Sequence, residues 1–116
     1  MAYIDLKYME SMTGGDEEIM RELIDIFIAQ IPEFEENLNK HLRNGDYLAL
    51  GKEAHKAKSS LLIVGMNELA KDLKTLQLMT IAGTDKESYP DYVKKFETQC
   101  HSAIEELKNL ELYNKR

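Results

Sequence analysis

The 116-residue sequence has little of what marks secreted, membrane-embedded or nucleic-acid-binding proteins. Its one cysteine, Cys100, excludes an internal disulfide and agrees with a reducing compartment. No apolar run approaches the ~20 residues that a membrane span needs, and no basic-then-apolar segment opens the chain. With two prolines and six glycines there is no room for a Pro/Gly-rich linker, and no low-complexity tract or internal repeat occurs. Strict polar–apolar alternation of strand length is also missing. A net charge of −6 argues against nucleic acid as a generic partner. These absences lead us to expect one domain over residues 1–116, cytoplasmic, with no membrane insertion.

What is present is helical periodicity. A short helix is expected around residues 3–12, with Ile4, Met9 and Met12 available for packing, and Thr13-Gly14-Gly15-Asp16 then punctuates, Asp16 serving as N-cap. Met20, Leu23, Ile24, Phe27, Ile31, Phe34, Leu38 and Leu42 recur at three- and four-residue intervals, which predicts a long amphipathic helix to about residue 43, kinked near Pro32. Asn44-Gly45-Asp46 closes it. A third helix over about 47–64 buries Leu50, Ala54, Ala57, Leu61 and Val64 and is broken by Gly65. Asn67 can cap a fourth, with Leu69, Leu73, Leu76 and Thr80 inside and Gly83 at its end. The last starts near Pro90 and carries Val93, Phe96, Cys100, Ala103, Leu107 and Leu110. The fold class is all-α: an antiparallel up-down four-helix bundle behind a short additional N-terminal helix.

Charge is unevenly spread along this layout. Residues 1–40 carry ten acids against three bases, and residues 75–116 seven against six. Residues 41–74 alone are net basic, with six bases against four acids, and they include AHKAKSSLLIVGM from Ala54 to Met66. A local basic patch suits an anionic ligand or an acidic protein surface.

At ~100° per residue, His55 stands roughly 130° from the centre of the third helix's core stripe, on its flank. Gly51 lies one turn before it, Lys58 and Ser59 one turn after, and Leu62 beyond. Glycine at 51 should leave the helix surface bare on the side toward which side chains lean, and Lys58 at i+3 can reach whatever the imidazole holds. An isolated imidazole titrates at about pH 6.5, so much of it is neutral and nucleophilic near neutrality. A catalytic triad would need an orienting carboxylate and an oxyanion hole, which the sequence does not supply near His55. Zinc would need further ligands, and His41 and His101 stand at no recognisable ligand spacing. Reversible carrying of an anion remains, such as a phosphoryl group on a ring nitrogen held by Lys58. Apolar Leu62, Ile63 and Met66 beside this strip suggest a docking surface, with Ile63 projecting roughly opposite the core. Ile63→Asp is therefore expected to slow transfer and leave the fold intact. Lys52 and Lys56 fit either that surface or an ordinary solvated face.

The string Ala54-His55-x-x-Lys58, with Gly65 ten residues after the histidine and then Leu69 and Leu76-Gln77, resembles the histidine-containing phosphotransfer (HPt) domain family. The upstream DLKYMESMTGGDEEIMRELIDIF and Pro32 within the second helix extend the resemblance over nearly the whole chain. It implies that His55 accepts a phosphoryl group from a receiver-domain aspartate and passes it to another receiver. By the same resemblance Lys58 steadies the phosphoryl charge and Gln77 hydrogen-bonds near the imidazole. Implied partners are receiver domains of response regulators or hybrid sensor histidine kinases. No cofactor is implied on this chain, magnesium belonging to the receiver. There are two departures from the family pattern. Ala57 replaces a larger apolar residue, and Ser59 replaces a glycine, its small hydroxymethyl group able to add a hydrogen bond to the phosphoryl group.

A helical adaptor in which His55 is incidental stays open, and is separated by whether His55→Gln leaves function untouched. An enzyme fits less well. The Glu-x-x-His pairs of di-metal bundles are missing, and a kinase would need a nucleotide-binding domain for which 116 residues leave no room beside the bundle. No dimerisation signal is visible, so a monomer is expected.

Overall fold

The computed structural model describes residues 3–115, and among them there are helices and turns but no strand. Six α-helices follow in order: α1 (Leu6–Thr13), α2 (Glu17–Arg43), α3 (Tyr47–Ile63), α4 (Asn67–Ala82), α5 (Tyr89–Lys108) and α6 (Glu111–Asn114), with a single 3₁₀ turn, Lys86–Ser88, before α5. Three aspartates start helices by accepting a backbone N–H of the first turn: Asp5 from Tyr8, Asp16 from Ile19 and Asp46 from Ala49.

Cross-helix pairs give the topology. Ser60 donates to Gln30 at 2.6 Å and Asn37 to Glu53 at 2.9 Å, so α2 and α3 run antiparallel. His55 and Gln77 meet across α3 and α4. Lys95 pairs with Asp72 at 2.7 Å across α4 and α5, and His101 with Glu35 at 2.6 Å across α5 and α2. The last pair closes an antiparallel four-helix bundle of α2 to α5, with α1 ahead of it. Its core is built from the expected stripes: Met20, Ile24, Phe27, Ile31, Phe34 and Leu38 of α2 meet Leu50, Ala54, Ala57 and Leu61 of α3, Leu69, Leu73 and Leu76 of α4, and Val93, Phe96, Cys100, Ala103 and Leu107 of α5. Burial pushes the Cys100 thiol far up, with the charge of Glu35 adding to it, so it behaves as a small apolar group.

Several details differ from the periodicity. The first helix begins at Leu6, and Met12 is exposed while Met9 takes the core position. Helix α2 continues unbroken past Pro32, which is exposed; the proline forfeits one backbone donor without ending the helix. Asn67 does not cap α4: Met66 holds that position with no side-chain bond, because Gly65 turns the chain with φ +78° one residue earlier. Leu110 lies beyond α5, whose buried start is Tyr89, the hydroxyl donating to the carbonyls of Met79 and Thr84 at 3.0 and 2.7 Å.

Gly65 has a second reason for its lack of a side chain. The N-terminal segment crosses here, Asp5 N–H donating to Val64 O at 2.9 Å, and a Cβ on Gly65 would fall 2.5 Å from Asp5 Cβ. The segment is held from the other side by Glu106, which accepts the backbone N–H of Tyr3 at 2.6 Å. The α3–α4 turn is thereby tied to α5, fixing the helix pair that carries His55.

Candidate functional site

His55 is exposed on the outer ridge of α3. Helix α3 keeps it there because Leu50, Ala54, Ala57 and Leu61 commit the opposite face to the core, while Glu53 and Ser60 commit one flank to α2. Glu53 is buried and accepts from Asn37, a role its charge did not advertise in the sequence. The other flank faces α4.

There the Gln77 carboxamide turns its oxygen to His55 Nδ1 at 3.2 Å. In this pairing Nδ1 carries the proton and donates it, leaving Nε2 with a free lone pair. That tautomer leaves the ring's lone pair on the nitrogen remote from α4, and no carboxylate is attached to the ring among the described residues.

Lysines dominate the surroundings. Lys58 is half-buried one turn beyond His55, and Lys52 and Lys74 are exposed on α3 and α4. Among the described residues none of these three has an ion-pair partner, whereas Lys56 reaches Glu53 at 3.7 Å and Lys71 reaches Glu68 at 3.3 Å. Lys58, Leu62, Glu68, Ala70, Lys71 and Lys74 line an open groove of about 430 Å³ between the two helices, in which Glu68 neutralises Lys71 and leaves Lys58 and Lys74 without a carboxylate partner among the described residues. Ammonium groups left without carboxylates around a nucleophilic ring favour an incoming anion. Ser59 is exposed beside His55, its hydroxyl free of any partner among the described residues. No cluster of three or more His, Cys, Asp or Glu side chains among the described residues could hold a metal ion.

Three expected surface residues stand elsewhere. Gly51 is not a bare patch: it is buried against α4, where a Cβ would fall 2.0 Å from Thr80 Oγ1. Met66 is only 3% exposed, drawn into the core by the turn that precedes α4. Ile63 is half-buried and packs on the core, because the outer ridge of α3 is narrower than half its circumference. Leu62 is exposed, as are Lys52 and Lys56. His41 lies in the last turn of α2, and His101 is engaged with Glu35 on the α2–α5 side, away from His55.

The structure adds two residues to this face that the sequence reasoning passed over. Leu48 of α3 and Ile81 of α4 are 60% and 65% exposed. Leu48 is seven residues before His55 and Ile81 four after Gln77, so both flank the ring at the end opposite the lysine groove. The heptad spacing Leu48–His55–Leu62 was the available signal.

The family model of the Hpt domain matches residues 22–110. No curated protein and no solved structure matches the chain. The matched segment holds α3, α4, His55, Lys58 and Gln77, and it leaves out α1 and the start of α2.

Proposed function

The chain belongs to the Hpt domain family, whose members carry phosphoryl groups on histidine in phosphorelays, and from that premise we propose that His55 is its phosphoacceptor. The observation that carries this reading is the exposed imidazole with Nδ1 against the Gln77 oxygen at 3.2 Å, on a face where Lys58 has no carboxylate partner among the described residues.

In the proposed step, the Nε2 lone pair of His55 attacks the phosphorus of a receiver's aspartyl phosphate. The N–P bond forms as the acyl phosphate P–O bond breaks, and the aspartate carboxylate leaves with the electron pair. The ring becomes a phosphoimidazolium whose positive charge is shared toward Nδ1–H and stabilised by the Gln77 oxygen. Lys58 offsets the phosphoryl charge, and the Ser59 hydroxyl can donate to it. Reversal with a second receiver discharges the group. The protein contributes no base, because the attacking nitrogen carries no proton to remove. Magnesium works in the receiver, and this chain needs no cofactor of its own.

Docking is assigned to the face around the ring: Leu48 and Ile81 at one end, Lys52 and Lys56 on the outer flank of α3, and Leu62 in the groove. The receiver belongs to a response regulator or a hybrid sensor histidine kinase, and the chain acts as a monomeric single domain over residues 1–116 in the cytoplasm. No helix of the described residues is long and apolar enough to cross a membrane.

The test is transfer from a phosphorylated receiver in the presence of magnesium. Acid-labile, alkali-stable phosphate is expected on the wild type and none on His55→Gln. Failure to label with several receivers, in a protein that is folded and helical, would favour the adaptor function instead.

A further inference from the structure

We propose that Gly51 and Thr80 are positioning residues for the phosphoacceptor: the missing side chain at 51 lets α4 approach α3 closely enough for Gln77 to hold the imidazole of His55. This rests on the reading of His55 given above.

Glycine inside a helix is destabilising relative to alanine, and Gly51 has ordinary helical backbone, so its conformation does not explain it. Its surroundings do. A Cβ built there meets Thr80 Oγ1 at 2.0 Å, Thr80 Cβ at 3.2 Å and the Cα of Gln77 at 3.5 Å. The backbone of α3 at residue 51 therefore rests directly on the turn of α4 formed by residues 77 to 80. Thr80 is buried and its hydroxyl donates to the Gln77 carbonyl at 2.7 Å, so the group filling the space over Gly51 is also tied to the residue that faces His55. His55 is one turn along from Gly51 on the same side of α3.

Helix separation follows the side chains at the contact. A methyl group at 51 must displace Thr80 from its hydrogen bond or push the helices apart by about 1.5 Å, since non-bonded atoms settle near ~3.5 Å. The His55–Gln77 contact, at 3.2 Å, has little slack before it ceases to be a hydrogen bond. Its loss frees the ring to exchange its proton between Nδ1 and Nε2, and Nε2 is then protonated part of the time. Because Gly51 and Thr80 touch Gln77 and not the ring, their effect must pass through that amide.

The experiment reads the His55 ring nitrogens by ¹⁵N NMR, together with the rate of transfer from a phosphorylated receiver. Gly51→Ala is expected to shift the ring toward a mixture of tautomers and slow transfer about two- to tenfold, the scale of one hydrogen bond. Adding Thr80→Ala leaves only the 3.2 Å contact, which a small shift relieves, and is expected to restore both readouts. In a Gln77→Ala background, Gly51→Ala should change neither. Thr80→Leu widens the same contact from α4, is expected to reproduce the tautomer change, and serves if Gly51→Ala does not fold. Unchanged tautomers in both Gly51→Ala and Thr80→Leu would overturn the proposal, as would an equal slowing by Gly51→Ala with and without Gln77. Because the NMR signal needs no partner, ring shifts without wild-type transfer would sink the carrier reading, and with it the phosphoacceptor role, while leaving the control of the ring tautomer by Gly51 and Thr80 intact.

Discussion

His55 draws its chemistry from one amide oxygen and a set of unneutralised ammonium groups, with no carboxylate to orient it among the described residues. That economy suits a carrier, which must accept and release the same group with little bias either way. Lys58 stands one turn beyond the ring and is half-buried, so its charge is less screened than that of exposed Lys52 or Lys56. Lys58→Ala is expected to slow transfer on the order of tenfold, about 1.4 kcal/mol, with helicity and melting temperature unchanged; a stopped-flow transfer assay checks it, and an unaltered rate would remove Lys58 from the site. At this scale the sequence was informative about placement where spacing along one helix sufficed, as for the positions of His55, Lys58 and Ser59 off the core stripe of α3. Gln77 came from the family likeness, since nothing local to residue 77 says which side chain of α3 it meets. Gly51 was misjudged for the same reason: a residue with no side chain looks like open surface until the neighbouring helix is known to lie on it.

Among the elements, the long periodic stripes of α2 to α5 were legible because burial of a helical face repeats many times per helix. Short pieces were not. The four residues of α6 and the 3₁₀ turn bury too few side chains to leave a pattern, and α6 is held by particular bonds, Arg21 to Leu112 O at 3.1 Å and Tyr113 to Asp25 at 3.1 Å. The cap of α4 was misplaced because Gly65 turns the chain two residues before Asn67, so that Met66 takes the cap position and Asn67 is already the first helical residue. The division of α3 into ridge and flank also separates two substitutions that periodicity alone would treat alike. Leu48→Asp touches an exposed residue and is expected to weaken receiver affinity with stability within about 0.5 kcal/mol of wild type. Ile63→Asp places a charge where a side chain packs on the core, and is expected to cost roughly 1–3 kcal/mol of folding free energy. Urea titration of both variants, with receiver binding by calorimetry, decides this. Equal stability losses would contradict the placement of these residues.

At the scale of the whole molecule, the acidic first third of the chain builds α1 and most of α2, and the basic segment around His55 builds α3 and the first half of α4. Much of the acid belongs to α2, and one of its carboxyls is internal to the bundle's seam. Burial raises Glu35 above its ordinary value, the nearby charge of Glu97 adds to this, and His101 opposes it only in part. A carboxyl raised in the fold binds its proton more tightly there than in the unfolded chain. Its contribution to stability is present below the ordinary carboxylate range and is lost as pH rises through the raised value. At pH 8, then, ionised Glu35 costs stability. Glu35→Gln, which keeps an acceptor for His101, is expected to melt at a higher temperature than wild type at pH 8, with the gap closing toward pH 4. A lower melting temperature at pH 8 would mean that the pairing with His101 outweighs desolvation.

The phosphorylated nitrogen itself remains the sharpest test of the carrier function. Protein labelled with ¹⁵N at its histidines would be phosphorylated by a receiver and examined by NMR for coupling between phosphorus and the ring nitrogens. Coupling to Nε2 of His55, with Nδ1 still protonated against Gln77, is the expected result. Phosphorus on Nδ1 of His55, or on His41 or His101, would contradict the assignment of the lone pair on which the mechanism rests.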